Sequence, residues 1–145
     1  MTYKLLGKKI IGGQEVLVNP SNVGSANVLL TDVDCEASVF VGAAVIMQVS
    51  GVAKNGIADS LANSNIIGLV ESKSSSILCN IRVLGATGGI FTGLDVTKEY
   101  YLSDTVAGEI TVTIPTASGS VALKLGQPLS ETEFVVLKGQ RIVRS

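Results

Sequence analysis

Apolar residues recur at every second position along most of this chain, and only the short stretch IADSLAN (57–63) has room for a helical turn. In SSSILCNIRVLGATGG, Ile77, Cys79, Ile81 and Val83 fall on one face of an extended strand, with Leu78, Asn80, Arg82 and Leu84 on the other. The second face is mixed, which predicts a strand that packs on both sides. KEYYLS and GEITVTIP flank a break between Asp104 and Gly108, so a hairpin is expected to join them. Within the second, Ile110, Val112 and Ile114 are predicted to face inward and Thr111 and Thr113 outward. Pro115 and Ser118-Gly119 break the next connection. Val121, Leu123 and Leu125 then point one way, Ala122, Lys124 and Gly126 the other, and Phe134 to Leu137 is the last expected core strand.

Upstream, SVFVGAAVIMQVSG predicts a buried strand with Gly42 at a bulge or bend. Asn55-Gly56, between Val52 and Ile57, is the dipeptide that favours a two-residue hairpin turn, since both positions tolerate positive φ. NSNIIGLVESK is a strand with polar ends. Turn signals recur at roughly eight-to-twelve-residue spacing, the pattern of a sandwich or small barrel. The expected fold is therefore all-β, a single β-sandwich or small β-barrel with an extended N-terminal arm.

The arm is placed at 1–36, the domain at 37–138 and a basic C-terminal tail at 139–145. Glycines at 7, 12 and 13 count against a helix in the arm, which is expected to be extended with a short strand at Glu15 to Val18. Its apolar pairs Leu5-Leu6 and Ile10-Ile11 need cover. Two readings stand side by side: an edge strand on its own domain, or a grip on a neighbour by strand addition. The tail, with Lys138, Arg141, Arg144 and the pair Ile142-Val143, is either solvated or in contact with an acidic neighbour.

Composition narrows the chemistry. The chain has 145 residues, enough for one domain with a real core, and a net charge of −1, so no global field draws it to nucleic acid. The most apolar run, Val39 to Val49, is too short to span a bilayer, and Lys8 and Lys9 interrupt any export signal; neither membrane nor export is expected. Cys35 and Cys79 are expected as buried thiols, with a disulfide between them left open. With no histidine, serine and cysteine nucleophile pairs that need one are excluded, and so are most zinc sites.

Asp32, Asp34 and Glu36 would share one strand face. They lack a calcium-loop pattern and are expected as a solvated or salt-bridging surface. Asp95, Glu99, Asp104 and Glu109 lie beside turns, where surface carboxylates are ordinary, and GATGGIFTG lacks the ending of a phosphate loop. Tyr100-Tyr101 should put one ring inside and one outside. No catalytic set, cofactor or metal is predicted, and no enzyme.

The order of turn glycines and core positions in the second half is distinctive. It runs through Gly88 to Leu94, Tyr100 to Ser103, Gly108 to Thr111, and Pro115 through Leu129, Ser130, Thr132 and Val135. With Val39, Gly42, Val45 and the IIGLV of 66–70 upstream, this resembles small β-rich structural proteins of tailed bacteriophages, found as capsid decoration (cement) proteins, head fibres and some tail proteins. The resemblance covers roughly residues 38 to 137, leaves the arm outside it and carries over no functional residue. It implies a non-enzymatic virion protein on the outer capsid surface, made in the host bacterial cytoplasm. The implied partner is the major capsid protein lattice, with self-association, as a trimer in such families; a tail or head-fibre role in receptor or glycan binding is the alternative. On that reading Leu5, Leu6, Ile10 and Ile11 are the expected anchors, and Lys4, Lys8, Lys9, Arg141 and Arg144 set register against an acidic surface.

Overall fold

A computed structural model describes the backbone of residues 8–11 and 14–17 and the whole of residues 27–145. The first two segments, β1 (Lys8–Ile11) and β2 (Gln14–Leu17), pair antiparallel as a two-stranded sheet of their own. The rest is all-β, a curled half-barrel sheet with a second small sheet, within the sandwich-or-barrel class. Among the described residues the one helical element is a 3-10 turn at Ala62–Ser64, overlapping the IADSLAN stretch.

The main sheet contains β3 (Val28–Asp34), β4 (Ala44–Met47), β5 (Ala53–Asn55), β6 (Gly68–Ser75) and β7 (Leu78–Ala86), followed by β8 (Tyr100–Leu102), β9 (Ile110–Thr111), β11 (Lys124–Pro128) and β12 (Phe134–Val136). Its order is β5-β4-β6-β7-β12-β11-β8-β9, with β3 added beside β7. The named strand pairs are all antiparallel. β7 is the central strand: Cys79 is opposite Val33 of β3 and Lys73 of β6, and Ile81 is opposite Leu30 and Val70. A bridge from Cys35 to Ala53 carries the end of β3 back to β5, which curls the sheet. The small sheet pairs β10 (Val121–Ala122) with β13 (Ile142–Val143).

Two cores lie on opposite faces of a shared wall, β4 and β6. Ala44, Ile46 and Leu69 face one core, which also holds Tyr100, Leu102, Leu125 and Phe134. Ala43, Val45 and Val70 face the other, with Cys35, Cys79 and Ile81. Period-two alternation on a strand buried on both faces accounts for the unbroken apolar run AAVI. In the first core Phe134 meets Tyr100 edge-on, with centroids 5.8 Å apart and planes at 86°, and Phe91 at 5.9 Å.

Several expectations hold. Val121, Leu123 and Leu125 are all buried, the β8–β9 hairpin is present, and Tyr100 is inside while Tyr101 is half-exposed. Others are corrected. Val28–Asp34, placed in the arm from sequence, is a strand of the main sheet, because Leu30 and Val33 pack on the thiol core through a partner some fifty residues later in the chain. A bulge there breaks the strict alternation of Asp32, Asp34 and Glu36. Asp32 takes φ 54° and its N–H donates to Asn80 Oδ1 at 3.0 Å, so Leu30 and Val33, three apart, both turn inward. All three carboxylates remain exposed.

The buried strand predicted from Ser38 begins only at Ala44, after a bend in which Gly42 has φ 91°. The β4–β5 hairpin turns at Gln48–Val52 with Gly51 at φ 85°, so Asn55-Gly56 is not the turn. Gly56 is needed for space instead: a Cβ there would lie 2.2 Å from Ile66 Cδ1. Val112 and Ile114 are 46% and 39% exposed rather than inward. The Thr113 N–H donates to Thr111 Oγ1, a local turn that ends β9 after Thr111.

Candidate interaction surfaces

Lys4, Leu5 and Leu6 lie outside the described residues. Lys8, Lys9, Ile10 and Ile11 together make β1, so the predicted contacts of the arm fall on one strand of the hairpin. Arg141 and Arg144 sit elsewhere, on the C-terminal segment, and the structure does not place them with the arm in any described contact.

That segment is paired through its backbone, although the side chains of Lys138, Gln140, Arg141, Ile142 and Val143 remain exposed. Ile142–Val143 pairs with β10, Arg144 N–H donates to Ser120 O and Gly119 N–H to Arg144 O, each at 2.8 Å. The side chains reinforce this strap. Arg144 Nε donates to Pro115 O at 2.9 Å, Arg141 Nη1 to Leu61 O at 2.6 Å, and Lys138 Nζ to Ile66 O at 2.6 Å. The reason is that β10 needs a partner for its backbone groups, which sequence spacing alone does not assign to residues twenty positions away.

Exposed apolar side chains mark a second surface. Phe40 and Val41, 43% and 44% exposed, sit at the bend before β4 and line a shallow 320 Å³ groove with Phe91, Tyr100 and Ile110. Sequence reading missed it by assigning Phe40 and Val41 to a buried strand; the only available signal was the glycine at 42, which marks where the strand cannot yet have begun.

The ionisable groups are mostly spent within the fold. Glu71 and Arg82 face each other across β6 and β7 through two hydrogen bonds of 2.8 and 3.0 Å. Glu99 accepts from Lys124 at 2.8 Å, and that bond holds its carboxyl below the usual range. Asp95 is likewise held low, first by the Thr97 hydroxyl and then by the Thr97 amide. Both shifts run opposite to the raised pKa that a general acid working near neutral pH needs. Burial, then the hydrogen bond with Cys35, pushes the Cys79 thiol up to about 12, and both cysteines are buried and free of a disulfide. A thiol in that state is a poor nucleophile and a poor metal ligand. Among the described residues no group of three or more histidine, cysteine or acidic side chains is placed to hold a metal. Nor is any described helix long and apolar enough to cross a membrane.

Comparison with protein-family models, with curated proteins and with solved structures gives no match for this chain.

Proposed function

We propose that this is a non-enzymatic structural protein of a tailed-phage particle, a capsid decoration protein that binds and stabilises the assembled lattice. The observation that carries the reading is the division of the molecule. Residues 38–137, the span of the resemblance, lie within an all-β unit built on two cores, while β1 and β2 form a sheet of their own ahead of it. Such a division suits attachment: the β-unit supplies a fixed body, and the β1–β2 pair, with Ile10-Ile11 beside Lys8-Lys9, supplies a strand or an apolar pair to a neighbour. Binding energy, with no chemistry, is the mechanism. A protein that binds only the expanded shell stabilises that state by mass action.

The experiment is co-sedimentation with shells that lack the protein, expanded and unexpanded shells side by side. Saturable binding to expanded shells in many copies per particle is expected, and deletion of residues 1–13 should abolish it while the domain stays folded. Binding that survives this deletion would remove the arm from the mechanism. No binding to either shell would move the chain to a tail or head-fibre role, to be followed by a glycan array.

A further inference from the structure

The C-terminal strap brings two cations into one cleft. Lys138 and Arg141 line a 480 Å³ pocket together with Asn65 and Gln140, and no carboxylate lines it. Each cation is anchored by a single bond to a backbone carbonyl, Lys138 to Ile66 O and Arg141 to Leu61 O, both at 2.6 Å. Among the described residues, most of the donors of this ammonium and guanidinium have no other partner. Arg82 and Lys124 instead have carboxylate partners, Glu71 and Glu99, while Lys73 and Arg144 also bond backbone carbonyls but, among the described residues, do not share a pocket with a second cation. At this cleft two like charges are held near each other, and the Lys138 pKa is lowered by burial and then by Arg141. A bound anion would place an opposite charge beside both cations and offset the two effects.

The apolar lining narrows the class of anion. Ile66 and Leu123, 3% and 2% exposed, are already covered, so the apolar surface open to a ligand is that of Leu61, 50% exposed at the rim. A hydrated tetrahedral ion gains nothing from the Leu61 side chain, whereas a carboxylate on a short aliphatic stem can lie against it and present a planar oxyanion to the guanidinium fork. We propose that Lys138 and Arg141 frame a binding site for a carboxylate carried on a short aliphatic stem, the chemistry of an acidic side chain or a small dicarboxylate. The site is a property of the isolated chain and stands or falls apart from any particle.

The test is a titration of the full chain with glutarate at constant ionic strength, followed through the side-chain amide signals of Asn65 and Gln140 and the titration of the Lys138 ammonium by NMR. Saturable shifts at both amides and a rise in the Lys138 pKa are expected. Lys138→Gln and Arg141→Gln should each weaken binding by about tenfold, the scale of one charge-assisted hydrogen bond. Lys138→Arg, which keeps the charge, should retain it, and backbone spectra report whether each variant is folded. Shifts that persist in both glutamine variants, or that never saturate, would overturn the site. Inorganic phosphate binding more tightly than glutarate would overturn the carboxylate assignment.

Discussion

The two cores on either side of the β4–β6 wall are built from different materials. One is filled by large rings and leucines, Tyr100, Phe134, Leu102 and Leu125, contributed by β8, β11 and β12 of the same sheet. The other has no ring and is filled by mostly small side chains, Ala43, Val45, Ala53, Val70 and two thiols, around Ile81. The difference follows from geometry. Where the Cys35–Ala53 bridge draws β3 onto β5, the tight curl leaves little interior and no room for a ring, while the rest of the same sheet encloses Tyr100 and Phe134. Stability should therefore depend on single residues in the first core and be spread over many in the second.

The largest expected effect tests that asymmetry. Phe134→Ala removes a fully buried ring in contact with Tyr100 and Phe91, and should cost about 3–5 kcal/mol, read as a lower denaturation midpoint in urea. A loss no greater than that of a small-residue truncation in the thiol core would end the distinction.

A smaller effect is expected on the thiol side. Cys79→Ala should cost about 1–2 kcal/mol near neutral pH, and it should also change the alkaline limb of the stability profile. The Cys79 thiol ionises at about 12 when folded, against 9.0 for the free group. Below pH 9 both states hold the proton and the contribution is complete. As the pH rises toward 12 the unfolded chain loses its proton first, so the contribution is lost. The variant should show a flatter decline over that window in urea titrations at each pH; parallel profiles would refute this.

The smallest effect lies on the surface. Glu99→Gln breaks an exposed pair with Lys124 and should leave the thermal midpoint unchanged within error, because solvent screens it.

How much of this was legible in the sequence depended on distance along the chain. Alternation in VALKL placed Val121, Leu123 and Leu125 correctly, because the side-chain period of a strand is a local property. Asn55-Gly56 misled for the opposite reason: the dipeptide favours a turn, but the packing of Ile66 decided what the glycine was for. The strap and the cation cleft were equally hidden. Lys138 and Arg141 are near neighbours in sequence, yet the carbonyls that anchor them belong to Ile66 and Leu61.

The sequence by itself determined the class of fold, the faces of several strands and the absence of histidine chemistry, since these rest on periodicity and composition. Only the tertiary structure decided which strands are neighbours. It put Val28–Asp34 beside β7, gave β4 and β6 two cores to serve and tied Ile142–Val143 to β10. Strand pairing satisfies backbone groups that every residue carries alike, so the choice of partner is made by the packing of whole faces.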